Sequence, residues 1–234
     1  MALGTTLSGT LDVSTTLGLQ SLTFTSDGRA VVQSLIDSGG SLTLCVMGYY
    51  FDYLGNEPVA GGDHTQILIY YGESSGAQRP ALIVQEIGGP IISVYSETTG
   101  NDDDAYLHKY GQTDDWATLR GDVDTVANVR YDSSTYYSYA VTNLVFPGKG
   151  GGDPYRDIRR SYFVFDLSGI SGATADVVQL RLRCDNLGHT NDDLGKIIAV
   201  QATALAGTTA DYGNCFVADA VTVTDNATFF GANF

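Results

Sequence analysis

The stretch Arg159–Asn186, RRSYFVFDLSGISGATADVVQLRLRCDN, decides the fold class. In its second half Val178, Leu180, Leu182 and Cys184 alternate with Gln179, Arg181 and Arg183. A period of two, with one apolar and one charged face, is what a strand between a core and solvent requires. Tyr162 and Val164 alternate in the same way with Phe163 and Phe165. The spacing predicts a half-buried antiparallel strand pair whose role is structural rather than catalytic.

Working outward, the same reasoning marks further strands at Gly18–Thr25, Ser41–Tyr50, Thr65–Tyr71, Ala81–Glu86, Ile91–Ser96, Tyr106–Tyr110, Tyr136–Phe146, Ser161–Phe165, Val177–Cys184, Lys196–Thr203 and Ala220–Thr224. Short strands with Gly, Asp and Asn between them predict an all-β chain, a jelly-roll-like antiparallel β-sandwich. One short covering helix is expected after Ser26: Ser26 caps it, Asp27 suits its positive end, Val31/Leu35 and Val32/Ile36 share an apolar stripe, and Gly39-Gly40 stops it.

With 234 residues, 43% of them hydrophobic and 11% aromatic, the chain has the material for a single core without disulfide staples. Its 28 glycines are spread among short apolar runs, which marks many turns. The net charge of −15 comes from 23 Asp and 4 Glu against 3 Lys and 9 Arg. Asp favours turns and Glu favours helices, so the imbalance itself fits a loop-rich β protein. Nucleic acid is not an expected partner, because the one basic cluster, Arg156, Arg159 and Arg160, sits among Asp153, Asp157 and Asp166. No segment has the length to span a membrane, and MALGTTLSGT lacks the basic start and apolar run of an export signal.

The stretch from Arg160 to Thr174, read as R-x-x-F-x-F-D-x-S-x-I-x-G-A-T, resembles a strand and turn of carbohydrate-binding-module-like β-sandwich domains found in phage virion proteins and bacterial surface proteins. DAYLHKYG at Asp104–Gly111, WATLR at Trp116–Arg120 and KIIAVQAT at Lys196–Thr203 fit the same pattern. The order departs from it. Tyr70–Gly72, Ser75-Gly76 and Arg79–Val84 look like closing strands but precede the opening strand at Asp104–Gly111. Two arrangements account for this: one circularly permuted sandwich over 1–234, with closing strands in 1–97 and opening strands in 98–234, or strands exchanged between subunits. Permutation is the preferred expectation.

The resemblance implies a non-enzymatic structural protein of a tailed phage, made in the host cytoplasm without a signal peptide and placed on the virion surface. A capsid decoration, fibre or tail component would act by self-association and by packing with other virion proteins. The alternative it implies is an adhesin module that binds host-surface glycan; a polysaccharide-degrading enzyme with two acting carboxylates is the third.

Candidate sites follow from residue type. Asp102, Asp103 and Asp104, with Asp114 and Asp115, offer the carboxylate oxygens that calcium takes, although no EF-hand spacing is present and solvated loops have the same composition. No other cofactor is expected. Tyr131, Tyr136, Tyr137 and Tyr139 could contact glycan or a neighbouring subunit, because Tyr joins apolar area to a polar tip. Phe229, Phe230 and Phe234 close the chain with apolar bulk suited to an interface or to docking on its own core. Cys45, Cys184 and Cys215 show no metal spacing and read as small buried hydrophobes, with His64, His108 and His189 dispersed. GESSG at Gly72–Gly76 lacks the helix a nucleophile elbow needs, Arg120-Gly121-Asp122 reads as a strand end and turn, and GKGGGDP at Gly148–Pro154 lacks the Lys-Ser/Thr of a phosphate loop.

Overall fold

The computed structural model describes residues 2–3, 11–12, 18–56, 64–70, 79–96, 105–109, 129–132, 137–144, 158–189, 196–202 and 216–217. They form an all-β antiparallel sandwich of jelly-roll type with one covering helix. The first layer contains β2 (Leu11–Asp12), β13 (Lys196–Gln201), β4 (Ser41–Gly48) and β11 (Ile158–Asp166), then β8 (Ala105–Lys109) and β9 (Val129–Asp132). The second contains β3 (Gly18–Thr23), β12 (Ala175–His189), β6 (Ala81–Glu86) and β7 (Ile91–Tyr95). Two further strands, β5 (His64–Tyr70) and β10 (Tyr137–Leu144), pair with each other and hydrogen-bond β12 to β11, so the layers join along one side. A separate two-stranded ladder pairs β1 (Ala2–Leu3) with β14 (Phe216–Val217).

The core lies where the alternation placed it. Val178, Leu180 and Leu182 are buried on one face of β12 together with Leu82 and Val84 of β6 and Leu22 of β3. They pack against Leu42, Leu44 and Val46 of β4, Phe163 and Phe165 of β11, and Ile197 and Ala199 of β13. Antiparallel pairing makes this register hold: Leu180 stands opposite both Leu22 and Leu82, so three strands turn the same face inward.

The helix α1 (Ser26–Ser38) adds Val32 and Ile36 to that core and packs on β12 and β4, one strand from each layer. Its cap is Thr25, not Ser26: the Thr25 hydroxyl accepts from the Gly28 backbone N–H at 3.0 Å while Thr25 keeps extended geometry. Gly39 ends it at φ 67°, a left-handed position that costs a glycine least. Gln33 donates to the Ala173 carbonyl and accepts from the Ala175 N–H, tying the helix to the start of β12.

Several boundaries differ from expectation, three of them because pairing partners extend or create a strand beyond its local pattern. β11 starts at Ile158 and β12 runs on to His189, because β8 and β10 pair with the first and β5 pairs with the second. Val129–Asp132, too polar to read as a strand alone, becomes β9 by pairing with β8. The strand expected through Tyr50 instead ends at Gly48 and enters a π-helical turn, Tyr49–Tyr53. Ala220–Thr224 lies outside the described residues.

The stretches of β4, β11 and β13 that pair side by side are buried on both faces, which the expected half-buried pair did not include. Every residue from Leu42 to Gly48, from Arg160 to Phe165 and from Ile197 to Val200 is buried. The face turned from the core carries Thr43, Cys45 and Met47, with Tyr162 opposite Cys45 and Val200 opposite Cys45 on the other side. Near-continuous apolar runs are the signature of such strands.

Candidate functional site

Two features of the described structure carry chemistry, one sealed and one exposed. The sealed one is an ion pair. Arg160 lies on the non-core face of β11, and the turn after β4 carries Asp52 beneath it. The guanidinium donates from Nε to Oδ2 and from Nη2 to Oδ1, both at 2.7 Å, and both side chains are 0% exposed. This is the bidentate geometry in which an arginine and a carboxylate satisfy each other best. The turn itself is held by Tyr49 stacking on Tyr53 with ring centroids 5.9 Å apart, and burial, then the neighbouring Tyr53, raises the Tyr49 phenol above its ordinary value. With no solvent at either group, the pair is a structural tether between β11 and the turn.

The exposed feature is the outward face of the second layer. Alternation from the core-facing residues places Leu19, Ser21 and Thr23 of β3 there, with Val177, Gln179, Arg181 and Arg183 of β12. Ile83 and Gln85 of β6 and Ile91, Ser93 and Tyr95 of β7 complete it, with Ala81 buried among them. None of these residues is acidic, in a chain with 27 acidic and 12 basic residues. Across one row of the ladder Arg181 stands opposite Ala81, and Ala81 opposite Tyr95. Arg79, just before β6, lays its guanidinium over the Tyr95 ring at 5.3 Å and donates from Nη2 to the Ser96 carbonyl at 2.6 Å. The Nε atoms of Arg79 and Arg181 are shielded from water and make no hydrogen bond. Three of the nine arginines thus gather with an aromatic ring along Val177–Arg183, Ala81–Gln85 and Ile91–Tyr95, a stretch of this layer that contains no acidic residue.

At its margin the face becomes apolar. Ile87 in the β6–β7 turn is 72% exposed, Ile91 67% and Tyr95 41%. The turn's Gly88 sits at φ 66°, a conformation glycine adopts without strain. Among the described residues β7 pairs with β6 alone and ends the sheet.

The expected site residues fall elsewhere. Tyr131 is on β9, and Tyr137 and Tyr139 are on β10; the sheet path from β9 to β10 runs through β8 and β11, so the strands carrying them are not neighbours. Tyr136, Asp102, Asp103, Asp104, Asp114, Asp115, Phe229, Phe230 and Phe234 lie outside the described residues, as do Gly72–Gly76, Arg120–Asp122 and Gly148–Pro154. Among the described residues no three His, Cys, Asp or Glu side chains converge as metal ligands. Cys45 is buried on β4. His64 is on β5, His108 on β8, and His189 ends β12 opposite Thr65. Among the described residues no helix is long and apolar enough to cross a membrane.

Sequence reasoning assigned Arg181 and Arg183 to the outward face but did not single out Arg79, Tyr95 or Ile91. A signal was present: IGGPIISVYS, Ile87–Ser96, runs ten residues without a charge in a chain that is 17% charged. No protein-family model matches the chain, and neither a curated protein nor a solved structure matches it.

Proposed function

We propose that the protein is a non-enzymatic structural subunit of a tailed-phage particle, exposed on its surface, that works by packing against copies of itself and other virion proteins. The motif resemblance of Arg160–Thr174 supplies the setting. The observation that carries the packing role is the stretch of the second layer's outward face over Leu19–Thr23, Val177–Arg183, Ala81–Gln85 and Ile91–Tyr95, which holds no acidic residue in a molecule of net charge −15. Copies of such a chain repel one another over most of their surface. A face that holds Arg79, Arg181 and Arg183 beside exposed apolar residues removes that repulsion locally and complements the acidic surface of a neighbour. Many weak contacts of this kind suffice when geometry engages them together.

Sedimentation velocity of the full chain at low and high salt tests the reading. Concentration-dependent assembly that weakens as salt is raised is expected, because exposed charge contacts are screened over about 10 Å at 0.1 M. The double substitution Arg79→Glu with Arg181→Glu should remove the salt-sensitive part. A monomer at every salt and protein concentration sinks the packing role, and saturable binding of neutral host-surface glycan by that monomer would favour the adhesin instead.

A further inference from the structure

We infer that the β7 edge is a symmetric docking site for a second copy of this chain, joined β7 to β7 in antiparallel register about Ser93. The inference deepens the packing role just proposed and rests on it.

The backbone gives the first reason. Ser96 N–H donates to the Pro80 carbonyl at 3.0 Å, and Glu86 N–H to the Pro90 carbonyl at 3.3 Å. Those two bonds fix the parity of the ladder: Ile92 with Val84 and Val94 with Leu82 are the hydrogen-bonded pairs, and Ile91, Ser93 and Tyr95 are the pairs that are not. The N–H and C=O groups of Ile91, Ser93 and Tyr95 therefore point away from β6, along an edge that no other described strand pairs with. Unpaired edge amides are a template for another strand.

The sequence and ladder of β7 also lack three of the features that block such pairing. Natural edges carry charge, proline, a bulge or a covering loop. From Ile91 to Ser96 there is no charge and no proline, and the β6–β7 ladder runs without a bulge. Ile91 and Tyr95 remain 67% and 41% exposed.

Charge and register together select a second copy as the occupant. Two chains of net charge −15 approach at least cost where neither presents a carboxylate, and Ile87–Ser96 is such a segment. Read antiparallel against itself about Ser93, the outward triplet is self-complementary: Ile91 meets Tyr95 of the other copy, Ser93 meets Ser93, and Tyr95 meets Ile91. Paired residues share a face, so each isoleucine packs on a tyrosine and only the small serine sits at the axis. All three pairs carry outward amides, so each exchanges two hydrogen bonds. An interface of this kind is isologous, with every contact made twice, and it fuses two second layers into one continuous sheet. One strand pair buries less than a standard interface, so the dimer is weak alone and effective in an array.

Cross-linking of the full chain tests the register. Ser93→Cys places two thiols on strands whose Cα atoms are roughly 5.5 Å apart across a hydrogen-bonded pair, within disulfide reach. Gln85→Cys, on the same face of β6, leaves its thiols three strand spacings apart and offset by four residues along the strand, roughly 20 Å, beyond that reach. Mild oxidation should give covalent dimer from Ser93→Cys and no more from Gln85→Cys than from the unsubstituted chain. Ile91→Lys should weaken the uncross-linked dimer by roughly tenfold or more at high salt, with melting unchanged, since an edge lysine opposes strand addition. Equal cross-linking of both cysteine variants, or an unaltered dimer constant in Ile91→Lys, overturns the inference. Salt-sensitive assembly without a Ser93 link removes the edge contact but keeps the packing role, whereas a monomer under all conditions removes both.

Discussion

Replacing Asp52 with asparagine strips the sealed ion pair of its anion while changing little volume. Arg160 then keeps a guanidinium that is 0% exposed and loses the carboxylate that both its Nε and Nη2 address at 2.7 Å. Breaking a buried pair by removing one partner costs about 3–5 kcal/mol, because the remaining charge stays desolvated and uncompensated. A chain of 150–250 residues loses about 2–4 °C of Tm for each kcal/mol, so a fall of roughly 6–20 °C is expected. Against a typical total stability of about 5–15 kcal/mol, that is roughly a fifth or more of what holds the fold. The assay is thermal unfolding followed by circular dichroism, with Arg160→Met measured alongside and then combined with Asp52→Leu. Each single substitution should be costly and the double one much cheaper than their sum, because an apolar pair of similar volume carries no desolvation penalty. A Tm lowered by less than about 2 °C in Asp52→Asn, or strict additivity in the double variant, would show that the pair does not tether β11 to the turn.

Thr25→Ala should cost about 0.5–2 kcal/mol in chemical denaturation, and Ser26→Ala distinctly less, since the Thr25 hydroxyl receives the Gly28 N–H. Leu180→Ala, at the centre of the second layer's inward face, should cost about 2–5 kcal/mol, while Gln179→Ala on the other face stays within about 0.5 kcal/mol or a little above through its bond to Thr23; equal losses would contradict the assigned faces. Acid should weaken the turn after β11: the Ser168 backbone N–H, then its hydroxyl, hold the exposed Asp166 carboxyl below its ordinary value, so its contribution is present above the unfolded pKa and is lost as pH falls through the folded one. Alkali acts oppositely on Tyr49. Its folded pKa is raised above 10.0, so stability should fall as pH rises from that value through the folded one, and Tyr49→Phe should flatten the alkaline limb of a Tm-against-pH curve.

The sequence by itself determined the faces of β12 and the fold class. Side-chain direction in a strand alternates by covalent geometry, so Leu180 inward and Arg181 outward follow from their neighbours alone. The helix was legible for a similar reason, because capping, apolar spacing and the Gly39 stop act within a few residues; only the cap itself moved, from Ser26 to Thr25. The tertiary structure decided what depends on distant partners. The Arg159-Arg160 pair reads as a basic cluster among nearby aspartates, yet Arg160 closes on Asp52, 108 residues earlier in the chain. Cys45, Tyr162 and Val200 read as alternating strand residues, and only their complete burial in the folded chain shows that both faces of β4, β11 and β13 are covered there. IISVY has the pattern of any strand, and nothing local distinguishes a central strand from a terminal one. β7 becomes an edge because β6 already has β12 on its other side and no described strand follows β7, a fact of sheet order rather than of residue pattern.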